Sequence, residues 1–172
     1  MKNILASVLI ASALSLPAWA AETTVKISGV HLCCKSCVTG VEKAVGEVPG
    51  VTVAVDKEAR TVSLTGADTA AVQKGANALV AAGYFGKSSD ASIKLAAHTG
   101  AKGKQMQTLK VQGVHLCCPK CVTAVTDALS PVAGVKGNTA TKGAKSFEVT
   151  GDFNDKEVFT ALHKAGLTGK AE

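Results

Sequence analysis

Apolar residues along this chain change their spacing in a set order, and the order is run through twice. Residues 24–28 alternate polar and apolar through Val25 and Ile27, the period of a strand with one buried face. Val38, Val41, Val45 and Val48 then recur at helical spacing, and Pro49-Gly50 stops that helix. Val51, Val53 and Val55 alternate again, Lys57-Glu58 marks a polar turn, and Val62 and Leu64 give a third strand. Asp68 stands where an N-cap is wanted for a helix carrying Val72, Ala76, Leu79 and Val80, closed by Gly83. A weak apolar run from Ile93 to Ala97 offers a fourth strand. The predicted order is βαββαβ.

The second passage starts 84 residues later. Gly29 to Val41 and Gly113 to Val125 agree at ten of thirteen positions, and Gly50-Val51 answers Gly134-Val135. Val122, Val125 and Leu129 repeat the first helix, Phe147 and Val149 the third strand, and Val158, Leu162 and Ala165 the last helix. The second strand of this copy is poor in strand formers, with Gly137, Asn138 and Gly143 between Lys136 and Lys145. Only Leu167 to Glu172 remains for a fourth strand, which is therefore expected to be short or missing. The segment 98–107, rich in Gly, Ala and Lys, reads as a flexible linker. The expected organisation is a first domain over 22–97, a linker over 98–107 and a second domain over 108–172.

Residues 1–20 stand outside the repeat. Lys2, the uncharged run Ile4 to Leu16 and Ala18-Trp19-Ala20 form the positive, apolar and small-x-small pattern of a cleaved signal peptide. The apolar run falls short of the ~20 residues that span a bilayer, and nothing later is long or apolar enough to do so. The mature protein is expected to be periplasmic or secreted, with no transmembrane segment.

Composition narrows the function. Apolar residues make up 47% of the chain, but 28 of them are Ala and aromatics reach only 3%. Modules of 65 to 75 residues built from Val, Leu and Ala are marginal on burial alone. A bound metal or a disulfide would supply what such cores lack. The formal charge of +6 is thinly spread and no basic stripe interleaves with aromatics, which argues against nucleic acid as a partner.

The unusual chemistry lies in the six cysteines. Each copy carries Cys-Cys-x-x-Cys: Cys33, Cys34 and Cys37, then Cys117, Cys118 and Cys121. Each cluster follows a strand and opens a helix, whose exposed N–H groups and dipole stabilise thiolate. Soft sulfur donors at this spacing select Cu(I), Zn(II) and other thiophilic ions. A third thiol per cluster allows three-coordinate binding, and His31 and His115 are possible additional ligands. His98 and His163 are read as solvated. Lys35, Lys43 and Lys120 near the thiols are read as ordinary surface lysines.

At these residues each copy resembles the heavy-metal-associated (HMA) domain, the module of copper chaperones, metal-exporting ATPases and periplasmic mercury-binding proteins. Its signature, Gly-Met-x-Cys-x-x-Cys, is matched by Gly29, Cys34 and Cys37 and by Gly113, Cys118 and Cys121. Gly83-Tyr84 resembles the family's Gly-Tyr before the last strand, where copy two has Gly166-Leu167. The resemblance implies an α+β protein of two tandem ferredoxin-like βαββαβ domains, each holding one soft ion on its CxxC thiolates. Four residues, not two, separate Gly from the first matching Cys, and the family's buried Met is replaced by Val30 or Leu32.

Two other uses of the cysteines compete. Structural disulfides usually close long loops, whereas these thiols are crowded within five residues and come in threes. A thiol-disulfide oxidoreductase would use the same CxxC pairs. None of Pro17, Pro49, Pro119 and Pro131 stands where a thioredoxin-like cis-proline would. The sequence reading is a non-catalytic, exported soft-metal carrier, scavenger or sensor, with Cu(I) favoured over Zn(II) and Hg(II). A membrane metal exporter or another metal carrier is the expected partner.

Overall fold

The structure, a computed structural model, describes residues 22–172; the expected signal peptide lies outside the described residues. The first copy runs β1 (Thr23–Ser28), α1 (Lys35–Gly46), β2 (Val51–Asp56), β3 (Thr61–Gly66), α2 (Thr69–Ala81) and β4 (Lys87–Ser88). The second runs β5 (Gln105–Gln112), α3 (Pro119–Leu129), β6 (Val135–Asn138), β7 (Ser146–Asn154), α4 (Asp155–Lys164) and β8 (Lys170–Ala171). The sheets have the same antiparallel order, β2-β3-β1-β4 and β6-β7-β5-β8. In each, two crossover helices interleave with the strands, so the chain forms two ferredoxin-like α+β units.

Local chemistry accounts for these elements. Val25 and Ile27 alternate into the core from β1, while Lys26 and Ser28 face water. Asp68 caps α2 by accepting the Ala71 N–H at 2.7 Å, and Val72, Ala76 and Leu79 bury its inner face. On α1 the buried positions are Cys37, Val41 and Val45; Val38, at the same helical spacing, is half-buried. Val30 and Leu32 are buried, as are Val114 and Leu116, so apolar side chains pin both loops ahead of the helices.

The fourth strand of the first copy is displaced from the expected 93–97 to Lys87–Ser88. There it pairs with Ile27 and Ser28 of β1. The Asp90 carboxylate then accepts the Ser92 N–H and hydroxyl, and its carbonyl accepts the Ile93 N–H, turning the chain away from the sheet. Ile93 is buried as a plug of the core and not as a strand residue. In the second copy β6 is short, with its register shifted between Val135 and Gly137, and β8 has two residues.

Segment 98–107 is anchored. β5 begins at Gln105 and pairs with the end of β7. Just before it, the Asp155 carboxylate accepts the N–H groups of Lys102, Gly103 and Lys104 at 2.6–2.9 Å.

The two units pack directly on each other. Tyr84 and Leu167 pair as an antiparallel bridge, flanked by Phe85 N–H donating to the Gly166 carbonyl and Thr168 N–H to that of Gly83. The two flanking bonds, at 3.1 and 3.0 Å, mirror one another across a pseudo-two-fold axis. Phe85 stacks on His163 at 3.8 Å, so His163 is not the solvated residue expected from the sequence. His98 is exposed.

Candidate metal centre

Both cysteine clusters occupy the junction between a strand-loop and a helix. Cys34 and Cys118 are the N-cap residues of α1 and α3, in extended conformation, and neither side chain makes a capping hydrogen bond. Sulfur is a weak acceptor, so the first-turn N–H groups stay available to anionic charge at the site. Pro119 at the start of α3 gives up no hydrogen bond there, since the first N–H groups of a helix are unpaired in any case.

Because the pseudo-two-fold axis passes between these helix ends, the two clusters merge into one. Within copies, Cys33 and Cys34 lie 3.5 and 3.7 Å from Cys37, and Cys117 and Cys118 lie 3.6 and 3.8 Å from Cys121. Between copies, Cys33 is 3.4 Å from Cys118 and 3.6 Å from Cys121. Cys34 and Cys37 lie 3.6 and 3.5 Å from Cys117, and Cys37 and Cys121 meet across the axis at 3.8 Å. All six are free thiols; Cys37 and Cys121 are fully buried and the other four partly exposed. The six cysteines expected from the sequence to form two sites thus converge in one place. No period or spacing in the chain shows which faces of the two units meet.

Thiols packed this closely cannot ionise independently. A hydrogen bond from Cys121 holds the Cys37 thiol well below its usual value, against the effect of burial, with help from His115, Cys117 and Cys33. The same contact, with burial, pushes Cys121 up. Burial also raises Cys33 and Cys117. At Cys118 burial works upward, but the Cys121 N–H and neighbouring thiols outweigh it and bring the value to about 7. Ionisation is thus eased at Cys37 and Cys118 and opposed at Cys33, Cys117 and Cys121, where burial and hydrogen bonds with neighbouring thiols penalise the thiolate. A cation in their midst removes that penalty.

The histidines divide. His31 lies with Cys33 and Cys121 in a group whose ligand atoms are within 4.8 Å of one another. Burial lowers its pKa, and its Nε2 has no hydrogen-bond partner among the described residues. His115 belongs to no such group among the described residues; its ring packs 4.7 Å from that of Tyr84, and its Nε2 is likewise buried without a partner. Lys35, Lys43 and Lys120 are exposed. Tyr84 is fully buried beside the cage and donates its hydroxyl to the Cys37 carbonyl at 2.9 Å.

A family model described as the heavy-metal-associated domain matches residues 24–85. Over 86 residues the chain is 41% identical to the "Mercuric transport protein periplasmic component" of Shigella flexneri, covering 49% of this chain and 93% of that protein. The chain belongs to the heavy-metal-associated family. The Pseudomonas aeruginosa protein of the same description is 40% identical over 86 residues, again across 93% of its length. Each of these relatives therefore corresponds to about half of this chain, which carries a second unit with the same sheet order. The N-terminal soluble domains of Bacillus subtilis CopA align over 89% of this chain and 95% of that one, at 15% identity and a TM-score of 0.34, too loose a likeness to build on. Among the described residues no helix is long and apolar enough to cross a membrane.

Proposed function

We propose that this protein is a non-catalytic, exported carrier or scavenger of soft metal ions, with Cu(I) its favoured cargo, bound by Cys33, Cys34, Cys37, Cys117, Cys118 and Cys121. The observation that carries this reading is the convergence of six thiols at 3.4–3.8 Å. An ion about 2.3 Å from each sulfur puts neighbouring sulfurs roughly 3.8–4.0 Å apart in tetrahedral or trigonal coordination, and roughly 4.6 Å apart in linear coordination. The crowded cage fits the first arrangement. Cu(I) accepts three thiolates, whereas Hg(II) favours two in line.

Hg(II) is the second reading, and the relatives' description as mercuric transport proteins favours it. Their periplasmic description, with the signal-like pattern of residues 1–20, supports a location outside the cytoplasm. Cargo exchange has a route at two corners of the cage. Cys117 lines one surface groove with His115 and Lys145, and Cys33 lines another with Lys57, Arg60 and Lys164. A thiol of a membrane exporter or a second carrier reaching either corner takes the ion by ligand exchange.

Competitive titration of the reduced protein with Cu(I), Hg(II) and Zn(II), with a six-Cys-to-Ser control, tests the proposal. Tight Cu(I) binding that disappears in the control, with Zn(II) held more weakly, is the expected result. Preference for Hg(II) over Cu(I) transfers the cargo assignment to mercury. Absence of tight binding, together with reduction of insulin disulfides, replaces the carrier by the oxidoreductase.

A further inference from the structure

We propose that the six thiols form one cage for a polynuclear Cu(I)–thiolate cluster, with about four ions bridged by shared sulfurs. This rests on the soft-metal reading above and replaces one ion per domain with a single site that neither unit possesses alone.

Nine sulfur pairs lie 3.4–3.8 Å apart. Three more, Cys33 with Cys34, Cys34 with Cys118, and Cys117 with Cys118, are within 4.8 Å. These twelve pairs are the edges of a distorted octahedron, with Cys33 opposite Cys117, Cys34 opposite Cys121, and Cys37 opposite Cys118.

Four alternate faces of that octahedron are Cys33-Cys34-Cys118, Cys34-Cys37-Cys117, Cys117-Cys118-Cys121 and Cys33-Cys37-Cys121. Three of these faces draw thiols from both copies. Every sulfur belongs to two of the four. An ion over each face is three-coordinate, and every thiolate bridges two ions, so no sulfur is left unused.

Charge supports the same count. Each ion enters as Cu(I) and leaves as Cu(I), so no electron is transferred. About four Cu(I) on six thiolates leave a core of charge near minus two, with any remaining thiol protons released. The N-termini of α1 and α3, both capped by ligand cysteines, bring roughly half a positive charge each to that core. Zn(II), which prefers four ligands, needs a further donor on every face. Among the described residues His31 supplies one, beside Cys33 and Cys121.

Stepwise Cu(I) loading of the reduced protein, followed by native mass spectrometry and X-ray absorption, tests the cage. The expected result is a jump from the metal-free form to about four ions per chain, with one- and two-ion species minor, three sulfurs per copper and copper–copper scattering. Two ions bound independently, without copper–copper scattering, overturn the cage and leave the carrier function standing. No tight Cu(I) binding overturns the cage, and the carrier function falls with it only if Hg(II) and Zn(II) also fail to bind tightly.

Replacing Cys33, Cys34 and Cys37 together by Ser gives a second reading. The cage predicts a fall from about four ions to about one, with weaker binding of the survivor. Retention of half the capacity at unchanged affinity overturns it. If that variant does not fold by circular dichroism, the wild-type stoichiometry decides.

Discussion

Tyr84 is the residue at which packing and metal site meet. It is the chain's only tyrosine, is fully buried, and lies on the bridge that joins the two units. Its hydroxyl needs a partner at that depth and finds the Cys37 carbonyl. Gly40 makes room for it, since a Cβ there would collide with the phenol oxygen. Copy two has Ala124 at the matching helix position and Leu167 in place of the tyrosine, so the two halves are symmetric in backbone and not in side chain. Replacing Tyr84 by Phe removes one buried hydrogen bond and is expected to cost about 1 kcal/mol, read as a lower denaturant midpoint. Capacity for soft metal ions should stay unchanged, because no cysteine is touched. The family resemblance matched Gly83-Tyr84 to the family's Gly-Tyr before the last strand. That it joins a second unit was not legible, because the repeat shows that Leu167 is its counterpart in copy two but not that the two positions meet in space.

At the scale of elements, most of the fold could be read from short-range pattern: strand alternation, the Asp68 cap, and the weak second strand and short last strand of copy two. The exceptions are segments whose fate is set by distant partners. β4 lies at Lys87–Ser88 because that stretch reaches β1, although Ile93 to Ala97 is more apolar. Segment 98–107 has linker composition, yet its end is strand and its middle wraps the start of α4. Burial disfavours the Asp155 carboxylate, but three backbone N–H groups outweigh it and hold its pKa below the ordinary range. A depressed carboxylate adds stability that is complete above the unfolded pKa of about 3.9 and is lost as pH falls through the lower folded value. Asp155→Asn is therefore expected to destabilise by about 1–3 kcal/mol at neutral pH. Its gap from wild type should close below about pH 4. Thermal melts of the two proteins from neutral pH downward check both parts.

For the whole molecule, the decisive fact is that two small units with few large side chains share a core and a thiol cage. That sharing requires backbone-to-backbone approach, and glycine permits it at Gly166. Its φ is +80, and a Cβ there would stand 2.6 Å from the His31 nitrogen and collide with the Gly29 carbonyl oxygen. Both obstacles are backbone of the other unit and cannot rotate away. Gly166→Ala is expected to push the units apart, at a cost of about 1–3 kcal/mol, without altering any cysteine. Gly46 at the end of α1 has nothing within 4 Å of a Cβ and no positive φ, so Gly46→Ala is the matched control and should be neutral or slightly stabilising. Denaturation of wild type and control should show one transition. Gly166→Ala should show an earlier or split transition, because units that no longer brace one another unfold separately. A single unshifted transition in Gly166→Ala would mean that the contact through Gly29 and His31 does not bind the units together.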